Sequence, residues 1–262
     1  MGIKRGPVAV VTGATAGIGR AIANRLAGEG QRVVIVSRHR DQAIETAAQI
    51  AETTGSSTLG IAADMGSGAA IESAMGQIME RFERVDVLVN NAGSSHFGGI
   101  LDLDLAAWRA DYAVKLLGSV TAIRCVLPGM IAQQSGTIVN IAGIGGREAE
   151  PLHMIGGSIN AALVHLTKTV AIQVAGQGIR VNALSPGFIL TDRIVSAART
   201  MGAADGRTAE KWLADQAAAA PMGRLGEPAE IANAVAFLVS PAASFVNGAH
   251  LVVDGTITRA VA

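Results

Sequence analysis

A glycine-rich segment near the N-terminus has the residue types and spacing of a phosphate-binding loop. The apolar run Val8–Thr12 leads directly into Gly13-Ala14-Thr15-Ala16-Gly17-Ile18-Gly19, and a helical pattern follows. Glycines permit a tight turn and close approach of the backbone to a pyrophosphate, and the N–H groups at a helix start attract its negative charge. A purely structural turn is the alternative, but the position after the first strand of a strand–helix–strand pattern favours a dinucleotide site. Its expected members are Gly13, Thr15, Ala16, Gly17, Ile18 and Gly19.

The end of the second apolar run indicates which dinucleotide is bound. Arg32–Ser37 is followed by Arg38, His39 and Arg40, and no acidic residue precedes Asp41. At this point an acid bonds the ribose 2′-OH of NAD, whereas an arginine accommodates the 2′-phosphate of NADP. The sequence therefore favours NADP over NAD, with Arg38 beside the phosphate, and a solvated turn is the alternative for both arginines.

Two further strand ends add residues to the same site. Asp64 and Met65 follow the third apolar run, and we expect Asp64 to bond the adenine amino group. Asn91, Ala92 and Gly93 end the fourth run. The carboxyl ends of parallel strands are where ligands bind in α/β proteins. These five residues are therefore expected at the cofactor.

Elements able to position these residues alternate along the whole chain. The predicted strands are Val8–Thr12, Arg32–Ser37, Thr58–Ala62, Val85–Asn90, Gly136–Ile141, Ile179–Ser185 and His250–Val253. The predicted helices are Ile18–Leu26, Asp41–Glu52, Ile71–Phe82, Leu105–Met130, Ser158–Ala175 and Glu230–Leu238. Apolar strands separated by helices predict one α/β domain over 1–262, with a parallel sheet covered on both faces. The Ala-rich stretch 191–224 interrupts the alternation after a strand end and is a candidate mobile lid over the ligand crevice.

Composition excludes several classes of partner. Lys plus Arg and Asp plus Glu each number 21, so the chain carries no basic footprint for nucleic acid or an anionic membrane. We find no window near the ~18 apolar residues that span a bilayer. Cys125, the single cysteine, fits a reducing compartment, and five scattered His predict no metal site. We expect a cytoplasmic protein that acts on a small molecule.

These motifs together resemble those of the short-chain dehydrogenase/reductase family, over nearly the whole chain. The segments that carry the resemblance are Thr12–Gly19, Asn90–Gly93, Gly178–Gly187, Arg224–Pro228 and Asn247–Gly255. The resemblance implies a Rossmann-like, doubly wound sheet of about seven strands and a nicotinamide dinucleotide cofactor. It also implies that Asn91, Ile189 and Thr191 lie along the cofactor toward its nicotinamide. Family members commonly form tetramers or dimers, here by pairing the two longest predicted helices.

The same resemblance shows that the catalytic set departs from the family pattern. Members that reduce carbonyls use a Tyr general acid, a Lys four residues later, a Ser 13 residues earlier and an Asn on the preceding long helix. The segment Asn160-Ala161-Ala162-Leu163 resembles the family's Lys-Ala-Ala-Leu, which puts Asn160 in the Lys position and Gly156 in the Tyr position. The Ser position then falls on Gly143, and the Asn position on Lys115.

Two features of the sequence are compatible with catalysis despite these departures. Asn and Lys are exchanged between the two helices, so the Lys115 ammonium could reach the nicotinamide ribose from the opposite side; unrelated drift is the alternative. His153 and His96 remain as acid candidates because imidazole titrates near neutral pH. Tyr112, the single tyrosine, shares a helical face with Lys115 and is expected to be a packing residue.

The sequence therefore predicts an NADP-dependent oxidoreductase for a carbonyl or alcohol, with Lys115 and His153 as catalytic candidates. Its non-standard proton donor is expected to be His153, His96, water or the substrate itself. Lyase or isomerase chemistry on the same scaffold is an alternative. A catalytically silent cofactor-binding subunit, paired with an active relative in a hetero-oligomer, is another.

Overall fold

The computed structural model describes residues 6–259, which fold around one sheet of seven parallel strands. The strands are β1 Val8–Thr12, β2 Arg32–Ser37, β3 Thr58–Ala62, β4 Val87–Asn90, β5 Gly136–Ile141, β6 Ile179–Pro186 and β7 His250–Val253. Their order across the sheet is β3-β2-β1-β4-β5-β6-β7. The order reverses between β1 and β4, which opens a crevice at the carboxyl ends of these two strands. The predicted Rossmann-like fold is confirmed.

The helices lie on both faces of the sheet. They are α1 Gly17–Gly28, α2 Arg40–Thr54, α3 Gly68–Phe82, α4 Leu105–Asp111, α5 Gly118–Gln133, α6 Met154–Val174, α7 Asp192–Ala204, α8 Ala209–Ala219 and α9 Pro228–Val239. Single 3₁₀ turns occur at Ile144–Gly146, Ala175–Gln177 and Pro241–Ala243. Alternate strand residues feed two separate cores, because successive side chains of a strand point to opposite faces. Val10 packs with α3, α5 and α6, whereas Val11 packs with α1, α2 and α9.

The long helix predicted over Leu105–Met130 is divided in the structure. A π-helical turn, Tyr112–Leu117, separates α4 from α5. The hydroxyl of Ser119 donates to the Lys115 carbonyl at 2.6 Å, which satisfies an acceptor near the widened turn. π-turns inside α-helices occur often at functional sites. Here the turn contains Lys115, one of the residues singled out for chemistry.

Other boundaries differ by a few residues. β4 begins at Val87 rather than Val85, because the Asp86 carboxylate accepts from the Val8 backbone at 2.8 Å and ties the preceding residues to the start of β1. α6 begins at Met154 rather than Ser158, although two glycines lie in its first turn. Burial of Ile155 in the core overrides the low helix propensity of glycine.

The stretch 191–224 contains α7 and α8, which pack on each other. Trp212 and Met201 form the centre of a third apolar cluster, with Phe97, Leu152 and Phe188 packed against it. The ring of Phe188 meets Trp212 edge-on at 5.5 Å. The predicted lid segment therefore lies against the loop that follows β4.

One helical stretch, Leu105–Gln133, is long and apolar enough to cross a membrane by length and composition alone. Within residues 6–259 this is the one helical stretch that passes on length and hydropathy. A core helix of a globular domain passes the same test. Ala122, Val126 and Met130 of α5 are buried in the core that covers one face of the sheet.

Candidate functional site

A groove of about 410 Å³ runs along the crevice between β1 and β4. Most of the residues predicted to bind the cofactor line it: Gly13, Thr15, Ala16, Gly17, Ile18, Gly19, Arg38, Met65, Asn91, Ala92, Gly93 and Thr191. Further lining residues are Val36, Ser37, His39, Gln42, Ala63, Ser94, Val114, Asp192 and Arg193. The structure thus brings residues from five separate strand ends to one surface.

The glycine loop is fixed by hydrogen bonds between the ends of β1 and β4. The Asn91 side-chain amide donates to the carbonyls of Thr12 and Gly13 at 2.9 and 3.1 Å. In return the Thr12 hydroxyl accepts from the backbone N–H groups of Asn91 and Ala92, each at 3.0 Å. Asn91 therefore shapes the loop itself as well as lining the groove.

The loop fits a dinucleotide pyrophosphate. Within residues 6–259 no side chain caps the start of α1, where Ala16 is the N-cap residue, so its first N–H groups are left for another acceptor. A Cβ on Gly19 would overlap the Gly13 carbonyl and the Asn91 amide, and would lie 3.0 Å from the Ala14 Cα. Gly13 and Gly17 have positive φ angles of 65° and 52°. Such a cradle of bare amides suits phosphate oxygens.

At the adenosine end, the described lining residues carry a positive side chain and no acid. Arg38 and His39 are exposed at the end of β2 and line the groove. Ala63 and Met65 line its other wall. Asp64 does not line the groove: its carboxylate accepts from the Gly66 backbone at 2.9 Å in a local turn.

The predicted contact of Ile189 with the groove differs from its position in the structure. Ile189 is buried in the core between the sheet and the α1–α9 layer, because its apolar side chain packs there. Thr191, two residues later, lines the groove and caps α7 by accepting from the Ile194 backbone at 3.3 Å. Arg193 follows in the first turn of α7, and its guanidinium donates to the Gly93 carbonyl at 3.0 Å.

Beside Gly93, which lines the groove, the exchanged residues Lys115 and Asn160 meet. The Lys115 ammonium donates to the Asn160 side-chain carbonyl at 2.7 Å and to the Ala142 backbone carbonyl at 2.6 Å. Both side chains are buried, with 9% and 2% of their surface exposed. The exchange noticed in the sequence thus corresponds to one contact between the π-turn and α6.

Burial changes the acidity of this ammonium. Desolvation, together with the charge of Arg193, lowers the Lys115 pKa to about 7, and Asp111 partly offsets the effect. Neutral acceptors such as the carbonyl groups of Ala142 and Asn160 offset only part of the free-energy cost of burying a charge. Lys115 therefore gains or loses its proton near neutral pH.

A buried carboxylate lies one helical turn before Lys115. Asp111 has no exposed surface, and it accepts from the Ser94 hydroxyl at 2.6 Å and from the His96 backbone at 2.7 Å. The His96 ring also faces it, with Nδ1 at 3.1 Å. These bonds fix the loop after β4 against α4. Tyr112 points elsewhere, and its hydroxyl donates to Ser158 at 3.0 Å.

The imidazole of His153 occupies the space that a side chain at Gly156 would need. A Cβ on Gly156 would overlap His153 Nε2 and lie 2.6 Å from both His153 Cδ2 and Ser95 Oγ. The His153 ring stacks on Phe97 with centroids 4.9 Å apart. Desolvation and the charges of Lys115 and Arg193 lower the His153 pKa to about 4, so the ring is neutral at pH 7.

Gly143, which the resemblance aligns with the family's serine, also fits its neighbours. Gly143 has a φ of 147°, which side-chain-bearing residues rarely adopt, and a Cβ there would lie 2.8 Å from the Asn160 amide nitrogen. Its own N–H donates to the Ser185 hydroxyl at 3.2 Å. Glycine at 143 and asparagine at 160 therefore fit each other.

Sequence reasoning did not single out Asp111, Ser95 or Arg193. A signal existed for Asp111, because an acid four residues before a lysine on a helix faces the same side. No comparable pattern marks Ser95 or Arg193, since their places depend on how the loop after β4 and helix α7 fold over the groove.

Comparisons with known proteins agree with this architecture. A family model described as enoyl-(acyl carrier protein) reductase matches residues 13–258. The chain is 36% identical over 251 residues to 2-(S)-hydroxypropyl-CoM dehydrogenase 3 of Xanthobacter autotrophicus (strain ATCC BAA-1158 / Py2), with 96% of each protein covered.

Two solved structures illustrate the likeness. L-sorbose reductase of Gluconobacter frateurii, complexed with NADPH and L-sorbose, superposes with a TM-score of 0.92 at 32% identity over 98% of each chain. A short-chain type dehydrogenase/reductase of Mycobacterium marinum superposes with a TM-score of 0.88 at 29% identity, over 97% of this chain and 96% of that one. The chain belongs to the short-chain dehydrogenase/reductase family.

Proposed function

We propose that the protein is an NADP-dependent oxidoreductase that interconverts a carbonyl compound and an alcohol, with Lys115 as the residue that exchanges the proton. The observation that carries the proposal is the buried Lys115–Asn160 contact, because it retains an ammonium and an amide at the catalytic end after both have changed helices. The named activities of relatives, such as L-sorbose reductase and 2-(S)-hydroxypropyl-CoM dehydrogenase 3, support this reaction class.

In this reaction the residues of the chain hydrogen-bond to the carbonyl oxygen and exchange its proton. When bound, a nicotinamide dinucleotide supplies a hydride to the carbonyl carbon or takes it from the alcohol carbon, and the carbonyl oxygen gains or loses one proton. Lys115 suits that exchange because its pKa of about 7 matches the working pH. His153, with a pKa of about 4, is neutral there and serves as a hydrogen-bonding group for the oxygen rather than as an acid.

NADP is the proposed cofactor because, among the described residues, an arginine and no acid line the groove at its adenosine end. Arg38 lies where a 2′-phosphate is expected, and the acid Asp192 lines the opposite end of the groove. The NADPH complex of L-sorbose reductase supports this assignment by similarity.

The test is turnover with NADPH. Ketoses, alditols and small ketones are screened by NADPH absorbance in both directions, and we expect at least one to react. Lys115→Met should lower kcat about 100-fold. Lys168→Met, an exposed lysine on α6, is the matched control and should leave kcat unchanged. Equal rates for the two variants would contradict the role of Lys115.

A silent cofactor-binding subunit remains the second candidate, and the loss of the family's tyrosine favours it. Tyr112, the single tyrosine of the sequence, donates to Ser158 and does not occupy position 156. Under this reading the protein binds NADPH, turns over no carbonyl, and co-purifies with an active relative that carries Tyr-x-x-x-Lys. Tagged expression in the native host, followed by mass spectrometry, separates the two functions.

We also propose a cytoplasmic homotetramer or dimer, formed through the long helices. Leu105, Leu117 and Ile172 lie on these helices with 68%, 57% and 71% of their surface exposed, which supports burial against a second copy. A monomer by light scattering would contradict this assembly. The segment 191–224 is proposed as its lid, to be checked by slower proteolysis of α7–α8 in the presence of NADPH.

A further inference from the structure

Two polar side chains converge on the space beside Gly156, where carbonyl-reducing relatives carry their general acid. A Cβ on Gly156 would overlap His153 Nε2 and lie 2.6 Å from Ser95 Oγ. The two polar atoms are therefore close enough for a single oxygen atom to bond to both. One comes from α6 and the other from the loop after β4.

Within residues 6–259 neither polar group has a side-chain hydrogen-bond partner. The Ser95 Oγ is buried and has no hydrogen-bond partner within residues 6–259. The two ring nitrogens of His153 also make no side-chain hydrogen bond to the described part of the chain. Neighbouring polar groups are satisfied: Ser94 bonds Asp111 at 2.6 Å, and Ser158 bonds Ile155 at 2.9 Å. A buried hydroxyl without a partner points to a ligand, because leaving it unpaired costs free energy.

The position of the imidazole is well defined. Phe97 stacks on its face at 4.9 Å, and Phe97 itself packs against the apolar cluster around Trp212. The same cluster includes Leu152, directly before His153. Lid, loop and imidazole thus form one packed unit, with Nε2 directed at the space beside Gly156.

We infer that Ser95 and His153 bind the reacting oxygen of the substrate, in place of the family's serine and tyrosine. The inference rests on the proposed function, because it assigns the oxygen-binding groups of that reaction. Ser95 contributes a hydroxyl that donates, and His153 donates from Nε2 in the tautomer that carries its proton there. Gly156 is required at its position because a Cβ there would overlap His153 Nε2 and crowd Ser95 Oγ, which would displace the two donors.

The pair has a clear chemical task. As hydride adds to the carbonyl carbon, negative charge develops on the oxygen, and two donors already in place stabilise that charge. One proton then completes the alcohol, and the ammonium of Lys115 is the proposed source. Apart from the Lys115 N–H bond that releases this proton, no covalent bond to the chain forms or breaks. The low pKa of His153 agrees with this division, because a neutral imidazole can donate without becoming the proton source.

The experiment uses isobutyramide, whose carbonyl oxygen accepts hydrogen bonds but is not reduced. It is titrated by calorimetry into the NADPH-loaded wild-type protein and variants. Ser95→Ala should raise its Kd about tenfold, and Gly156→Ala should abolish binding. Ser158→Ala, which removes a nearby hydroxyl already bonded to Tyr112, is the matched control and should leave the Kd unchanged. The Kd of NADPH should stay the same in all three variants, and the melting temperature should stay the same in Ser95→Ala and Ser158→Ala.

The outcomes separate this inference from the proposed function. Isobutyramide binding that depends on Ser95, in a protein that reduces no carbonyl, supports the oxygen site and overturns the oxidoreductase proposal. Carbonyl turnover with equal isobutyramide affinity in wild type and Ser95→Ala overturns the oxygen site alone. Absence of isobutyramide binding to the wild-type protein also overturns it. For any carbonyl that is turned over, Ser95→Ala should lower kcat by about 100-fold or more.

Discussion

The two ends of the groove are built by different means. At the phosphate end the binding groups are backbone amides, and glycines keep the space in front of them open. At the end proposed for catalysis the groups are side chains on α6, the π-turn and the loop after β4. By the sequence resemblance, the first end follows the family pattern, whereas the second is expected to depart from it at four positions.

The difference teaches that a backbone site and a side-chain site change in different ways. An amide cradle leaves little room for change, because a Cβ at Gly19 meets backbone and the Asn91 side chain. A side-chain site can be rebuilt, because an ammonium can reach the same place from another helix. The Lys115–Asn160 contact is an example of that freedom.

The largest expected effect of a substitution is at the phosphate end of the groove. Gly19→Ala places a Cβ on the Gly13 carbonyl, and backbone cannot move aside. We expect NADPH affinity to fall more than about 100-fold, equivalent to about 2.7 kcal/mol. Gly28→Ala on the same helix has nothing within 4 Å and is the matched control. Calorimetry that shows equal NADPH affinity for both variants would refute the amide cradle.

At the catalytic end, the buried ammonium makes stability depend on pH. The Lys115 pKa is lowered to about 7 in the folded protein, from 10.5, so between these values the unfolded chain binds more protons. Stability should therefore rise with pH across this window, by up to about 1.4 kcal/mol per pH unit. Lys115→Met removes the effect, and subtracting its profile corrects for other groups. Parallel urea-unfolding profiles of the two proteins would count against a buried ammonium.

The exchange between helices can itself be tested by reversing it. Lys115→Asn and Asn160→Lys each leave a buried polar group without its partner, whereas the double variant restores a lysine–asparagine pair. We expect the double variant to recover about 2 kcal/mol relative to the sum of the single variants. Additive losses in chemical unfolding would show that the two positions act independently.

The smallest expected effect concerns the adenosine end. Arg38→Ala should weaken NADPH binding about tenfold and leave NADH binding unchanged, because one charge contact to the 2′-phosphate is lost. Arg40, which starts α2 and does not line the groove, is the control. Equal effects on both cofactors would indicate that Arg38 does not select between them.

The sequence predicts the structure best where a residue pattern depends on local backbone conformation. The seven strands follow from apolar runs, and the glycine loop from its spacing, because both depend on local conformation. It predicts less well where position depends on packing. Asp64 turns back to Gly66, Ile189 enters the core, and the π-turn interrupts a pattern whose periodicity looks continuous. The His153 ring fills the place beside Gly156 only because Phe97 and the lid cluster hold it there.

The fit between Gly143 and Asn160 makes a return to the family's usual residues dependent on the order of the changes. A serine at 143 must adopt a φ near 147° and crowd the Asn160 amide, so position 160 has to change first. A tyrosine at 156 likewise requires His153 to leave beforehand. Each of these side chains therefore conflicts with its present neighbours when it is introduced alone. An engineer who wants the family's usual catalytic set has to install it in one step, together with changes at 153 and 160.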